Sequence, residues 1–600
     1  MDLLPKVFRT EGNIAEFDSS KIFESILKET GMSEKDTKYI TELVVRRIIS
    51  SGIKFLSGPH IREIVCSILS EQHFENERKL YTRIGMPLMD YEKILEKDPS
   101  DKPHERINPE KIQRWAANQI AEEYAHLRIL KNEESKAHLA GDIHINGLNY
   151  FVLRPFSQIW DPRLILKHGL PSMKNLKGYY KHNPAKNLNS ALYQLTKWLE
   201  MIQDEFYGNQ SFNFISTFLA PYLDDLSEEE IIKEIQSFIY ENNLLPLTIG
   251  RKAPQISIFS SISVFKELLD IPAIVPGGKI KNVYGNYHNQ CNQLFKALLL
   301  VFKEISQKYP LLSLPKHYIL LDYKFMNLIE NIYPKFWDEN ELINSSYFLK
   351  FHPNSYRFKN LEFLVSEKYH NYGILQNISL NLPRYAFTTK DEDRFLALLR
   401  SKLDLCSNIL LKKYDIIKKR IHSNHLPLCG TVINGETIFK LENQGLSISL
   451  VGLNEAIRYL TNYDLHENLK TIEFGKKILT EINQLCSELS EEYDKIFLLS
   501  ENLSEKAINR FTQLDLKQFP KEVRFVSNNK NYTNSVHFRE DADIDLLDRV
   551  KIQEDFHKLI HKGAITYISL KDLKRSELKI KDFLTKIAKE SRISNLKFHA

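Results

Sequence analysis

A polar stretch with two prolines, Lys97-Asp-Pro-Ser-Asp-Lys-Pro-His-Glu105, separates two parts of the chain that differ in hydrophobic rhythm. Proline and clustered polar residues oppose both helix and sheet, so residues 93–108 read as a linker. Downstream, residues 109–600 alternate apolar strand-like runs with long helices, which is the pattern of an α/β architecture. Upstream, residues 1–92 form a self-contained pattern of a short hairpin and three helices. A single hydrophobic core stops growing at ~250–300 residues, and the chain has 600. More than one domain is therefore expected.

In the first part, Lys6-Val7-Phe8-Arg9 reads as a strand, Glu11-Gly12-Asn13 as a turn, and Ile14-Ala-Glu-Phe17 as the returning arm. Asp18 is placed to cap a helix from about Ser19, whose Ile22, Phe23, Ile26 and Leu27 fall on one face. Ile40, Leu43, Val44 and Ile48 mark a second helix, and Ile61, Ile64, Val65, Ile68 and Leu69 a third beginning near Pro59. In the second part, Ser227-Glu-Glu-Glu230 has the spacing of a capping box ahead of Ile231. A long helix is expected from about Asp391 to Ile421.

Composition narrows the class. With 42% hydrophobic and 26% charged residues the chain is neither largely disordered nor collagen-like. Its 82 basic and 77 acidic residues leave +5, too even a balance to argue for a dedicated nucleic-acid binder. The basic runs Lys412-Lys413, Lys418-Lys-Arg420 and Lys571-x-x-Lys574-Arg575 read as solvated helix faces before they read as phosphate contacts. Five cysteines, Cys66, Cys291, Cys406, Cys429 and Cys486, stand far apart. No CxxC or Cys/His cluster exists, so neither a disulfide framework nor a metal site is expected, and a reducing cytoplasm is the simplest compartment. Cys66 and Cys406 lie on apolar helix faces as packing residues, and Cys429 is the loop candidate for thiol chemistry. The N-terminus does not read as a signal peptide. The longest apolar run, Ala297 to Phe302, is far below the ~18–20 residues that span a bilayer. No membrane partner is expected.

The segment with most information is His138-Leu-Ala-Gly-Asp-Ile-His-Ile-Asn-Gly-Leu-Asn-Tyr150, followed by Phe-Val-Leu-Arg-Pro-Phe-Ser-Gln-Ile-Trp-Asp161. Further fragments follow in order: Phe218-Leu-Ala-Pro-Tyr222, Ile258-Phe-Ser-Ser-Ile262, Pro272-Ala-Ile-Val-Pro-Gly-Gly-Lys279, Tyr284-Gly-Asn-Tyr287, Ile378-Ser-Leu-Asn-Leu-Pro-Arg384, Leu450-Val-Gly-Leu-Asn-Glu455, Tyr532-Thr-Asn-Ser535 with His537, and Phe556-His557 with Gly563-Ala-Ile565. Together they resemble the anaerobic (class III) ribonucleoside-triphosphate reductases, particularly the archaeal members. The resemblance implies a ten-stranded α/β barrel of the glycyl-radical, pyruvate formate-lyase-like type. His144, His537 and His557 fall in these fragments and read as hydrogen-bonded structural residues.

Residues 1–92 are similar to the ATP-cone, the allosteric module that precedes many reductases: Lys6-Val7-x-Arg9-x-x-Gly12 is followed by Phe17-Asp18-x-x-Lys21-Ile22. Basic side chains on a hairpin and at a helix start suit a polyphosphate, and a turn glycine lets backbone approach closely. The resemblance implies ATP or dATP as allosteric ligand, with Mg, bound by Val7, Arg9, Thr10, Gly12 and Lys21.

Family chemistry, as the resemblance implies, needs a glycyl radical and a cysteine thiyl beneath the ribose. The cysteine belongs in the segment here spanning Phe351 to Leu375, which contains none. A second family cysteine, in an Arg-Pro-Asn-Cys pattern, is matched by Arg154-Pro155-Phe156-Ser157. The family's glycine-rich Arg-Gly-Gly-Gln turn is replaced by Gly250-Arg-Lys-Ala-Pro-Gln255. After about residue 570 a zinc module and a radical glycine would follow; Gly563 is the last glycine of the chain. The expectation is a nucleotide-binding pseudoenzyme with no catalytic residues, no zinc and no glycyl radical. Its role is then regulation or scaffolding, through a homodimer or an unidentified protein partner. The alternatives are an active reductase subunit whose glycyl radical comes from a separate chain, and a nucleic-acid-binding protein that reuses the barrel.

Overall fold

A computed structural model describes residues 6–8, 14–53, 55–82, 84–85, 91–92, 95–96, 109–171, 182–248, 256–309, 315–321, 325–337, 347–351, 371–433, 436–528, 530–539, 541–561, 563–569, 572–573, 576 and 578–599. The Lys97–Glu105 stretch and Gly250–Gln255 lie outside these. The chain divides into two compact units, Met1–Asn132 and Glu133–Ala600.

In the first unit the hairpin expected from the sequence forms. Strands β1 (Lys6–Phe8) and β2 (Ile14–Glu16) pair antiparallel, and β3 (Phe55–Ser57) adds to β1 in parallel. Asp18 caps the helix Ser19–Thr30 by accepting a hydrogen bond from the Ser20 amide at 3.0 Å, and Gly31 ends it. The helices Glu34–Ser51 and Gly58–Glu71 follow, each opened by a serine cap. Their apolar faces meet in one core of Ile22, Ile26, Ile40, Val44, Ile48, Val65, Ile68, Leu69 and Tyr81, where helical periodicity in the sequence placed most of them.

The second unit is built around a sheet. Its strands are β4 (Ile143–Ile145), β5 (Ser157–Trp160), β6 (Gln210–Phe212), β7 (Ile256–Ser261), β10 (Lys316–Leu321), β11 (Tyr347–Phe351), β12 (Tyr372–Asn381), β15 (Gln444–Val451), β16 (Ile496–Leu499), β17 (Ile565–Ser569) and β18 (Asn595–His599). Two small hairpins stand apart, β8 (Pro272–Val275) with β9 (Lys279–Val283), and β13 (Val432–Ile433) with β14 (Glu436–Thr437). Five strands, β5-β6-β7-β10-β11, run parallel; β12-β15-β16 and β17-β18 are also parallel within themselves. The two halves meet antiparallel at β5/β12 and at β11/β18. A parallel bridge between Ser500 and His561, with the His561 amide 2.8 Å from the Leu499 carbonyl, joins the β16 edge to the segment entering β17. Ten strands thus close a barrel of two five-stranded halves, and β4 pairs with the far end of β12.

Parallel strands need helical crossovers, and these cover the barrel. The helix Glu392–His422, capped by Asp391, buries Phe395, Leu399, Leu403, Cys406, Leu410 and Ile417. The expected capping box forms at Ser227, whose hydroxyl lies 2.7 Å from the Glu230 carboxylate. Among the described residues no helix is long and apolar enough to cross a membrane.

Candidate functional site

The β5/β12 seam positions Ser157. Trp160 packs edge-on against Trp198 of the helix Leu188–Ile202, ring centroids 5.1 Å apart, so Gln158 and Trp160 face outward. Strand alternation then turns Ser157 and Ile159 into the barrel. Ser157 stands opposite Ile374 across the seam. Gly373 is required there: a Cβ on it would lie 2.0 Å from the Ser157 carbonyl oxygen and 2.4 Å from Gln158 Oε1. The turn that delivers Ser157 is held by Lys413, a buried side chain on the helix Glu392–His422. Its ammonium donates to the carbonyls of Phe151, at 2.6 Å, and of Tyr150 and Arg154. Burial pushes this lysine well below the usual range.

No cysteine lies on a barrel strand. Cys66 is half-buried in the first unit, and Cys406 and Cys486 are buried in the helices Glu392–His422 and Leu469–Tyr493. Cys291 sits beneath the end of β7, its Sγ 3.5 Å from the Ser261 carbonyl. Cys429 occupies a buried turn whose amide donates to Glu205 at 2.9 Å, and burial drives its thiol far up. Phe351 and Asn371–Leu375 bound the segment where the family thiol belongs; residues 352–370 lie outside the described residues.

Beside the seam, β12, β15 and the residues after β16 carry a ladder of small neutral groups. The Asn377 side-chain oxygen accepts from Asn146 at 2.8 Å, Asn502 at 2.8 Å and Ser449 at 3.1 Å. Asn377 in turn donates to Ser447 at 2.8 Å, Ser379 and Ser449 lie 2.9 Å apart, and Ser447 and Ser500 lie 2.5 Å apart. Sequence reasoning did not single these residues out. The signal was present in the period-two alternation Asn377-Ile-Ser379-Leu-Asn381 and Ser447-Ile-Ser449, which puts polar groups on one face of otherwise apolar strands.

The recognised fragments converge at the ends of these strands. Asp515, on the helix Glu505–Gln518, accepts from Arg384 Nε at 2.6 Å, Asn381 at 2.9 Å and the Tyr532 hydroxyl at 3.0 Å. Arg384 also reaches the Ala140 carbonyl. The Asp142 carbonyl accepts from the Asn381 amide and the Tyr385 hydroxyl, and its carboxylate pairs with Lys402 at 2.6 Å. Glu455 is fully buried and accepts from the Thr533 amide at 3.0 Å and hydroxyl at 2.7 Å. Burial raises its carboxyl to about 7, against the lowering effect of those two bonds. Gly452, at φ +77°, lets β15 turn into the next helix and donates to the Thr533 carbonyl.

The histidines are structural. His144 stacks on His138, and burial lowers it to about 3. His557 accepts from the Ser594 amide at 3.0 Å, and His537 pairs with Glu501 at 2.6 Å. Among the described residues no three His, Cys, Asp or Glu side chains are grouped to hold a metal ion. Of the basic runs, Lys412 bonds Glu134 at 2.5 Å, and Lys413 is buried as described, so neither offers a phosphate contact.

In the first unit, Val7 is half-buried on β1 between Ala15 and Leu56. Lys21 is exposed in the first turn of the helix Ser19–Thr30. Arg9, Thr10 and Gly12 lie outside the described residues. The start of this helix is already covered by the Asp18 carboxylate. An incoming anion would therefore meet the Lys21 ammonium before bare helix amides.

Known proteins match this arrangement. The family model described as anaerobic ribonucleoside-triphosphate reductase matches residues 104–599. The anaerobic ribonucleoside-triphosphate reductases of Salmonella typhimurium and Escherichia coli are each 22% identical over 631 residues, covering 94% of this chain and 85% of theirs. The crystal structure of the Thermotoga maritima anaerobic ribonucleotide reductase with glycerol in the active site superposes with a TM-score of 0.69 at 18% identity, covering 85% of each chain. The same enzyme in complex with dATP and CTP gives 0.68, covering 88% of this chain and 91% of that one. At such identity the superposition establishes the glycyl-radical barrel fold. With a family model spanning residues 104–599, the chain belongs to the anaerobic ribonucleoside-triphosphate reductase family.

Proposed function

We infer that this chain is a nucleotide-binding member of the family whose barrel no longer performs radical chemistry and whose role is regulatory or scaffolding. The observation that carries this is Ser157, a hydroxyl facing the lumen where the family pattern has a thiol, in a barrel with no cysteine on any strand. The chemistry as the resemblance implies it abstracts a ribose hydrogen with a sulfur radical. A serine O–H bond is too strong to be broken by the same relay, and the five thiols present are packed into helices, a turn or the first unit. The Phe351–Leu375 segment holds no replacement.

The ligand is ATP or dATP with Mg, held by the first unit through Val7, Arg9, Thr10, Gly12 and Lys21. Support comes from the exposed Lys21 beside a hairpin of the expected pairing. The described part of this unit is a small helical core with a three-stranded sheet, which agrees with the ATP-cone that the resemblance implies, in a reductase of archaeal type. The chain works in the cytoplasm, as a homodimer or with a protein partner. Equilibrium titration with ATP, dATP and ADP tests the ligand, and no binding at millimolar nucleotide would refute it. An anoxic reductase assay with a radical-activating enzyme and a candidate glycyl-radical tail protein tests the loss of chemistry. Formation of deoxynucleotide would establish instead an active subunit completed in trans.

A further inference from the structure

We draw no further inference here: the strongest candidate, the buried side-chain cluster at the end of β15, where the Asn534 carboxamide forms no hydrogen bond among the described residues although its backbone pairs with Val451, belongs to the site already described.

Discussion

Replacing Glu455 with glutamine should change how barrel stability depends on pH. Glu455 is completely buried, and its carboxyl is raised from the ordinary 4.5 to about 7, first by desolvation and further by Asp464, against the bonds from Thr533. The native state therefore holds a proton that the unfolded chain releases above about pH 4.5. The stability from this site is fully present below that value and is lost as pH rises through 7. At about 1.4 kcal/mol per pH unit, the loss amounts to about 3 kcal/mol, most of it between pH 5 and 8. Glu455→Gln cannot titrate. Its carbonyl still accepts from the Thr533 amide, and its amide can donate to the Thr533 hydroxyl. The difference in unfolding free energy should thus move by about 2–3 kcal/mol in the variant's favour from pH 5 to pH 8. Urea denaturation of both proteins at matched pH, followed by tryptophan fluorescence from buried Trp160 and Trp198, measures it. The comparison is made on the barrel transition at equal m-value, since two units need not unfold together. A difference that stays level across that range would refute the protonated state assigned to Glu455.

Three further outcomes follow from the site. Arg384→Met leaves buried Asp515 without its ion-pair partner and should cost about 3–5 kcal/mol; adding Asp515→Asn should recover much of that, and a strictly additive double variant would disprove the coupling. Gly373→Ala drives a Cβ into the Ser157 carbonyl and should lower barrel stability by about 3 kcal/mol or more, so an unchanged thermal midpoint would contradict the close approach at the seam. Ser157→Cys restores one thiol but not the one missing from Phe351–Leu375, so the anoxic reductase assay should still yield no deoxynucleotide; turnover would show that Ser157 alone withholds the chemistry.

The parts of the fold legible in the sequence were those that local physics decides. Helical periodicity placed Ile22, Ile26, Ile40 and Val44 in one core, and Asp18, Ser227 and Asp391 announced helix starts because a short polar side chain can reach free amides. Strand order was not legible from periodicity, since β12 pairs with β5, β15 and β4, which lie far from it along the chain; the resemblance supplied the barrel. Asp515 went unnoticed for the same reason. Nothing near it in sequence distinguishes one aspartate on an amphipathic helix, and its role exists only because folding brings it to Arg384, Asn381 and Tyr532.

The fragments that carried the resemblance are mostly bonded to one another. Asp142, Asn381, Arg384 and Tyr532 meet around Asp515, and Glu455 fastens Thr533 to the turn after β15. Asn381, Arg384, Glu455, Asp515 and Tyr532 are buried, and leaving any one of them without its partner costs on the order of 1–3 kcal/mol. A barrel of this kind must keep these residues merely to stay folded, whatever its lumen does. At the seam Ser157 and Ile374 pair through their backbones, so a thiol there is not needed to hold the fold. The proposed loss of radical chemistry would therefore leave these bonded fragments in place, because they hold the fold. The fragments that carry the resemblance thus report the barrel rather than the reaction.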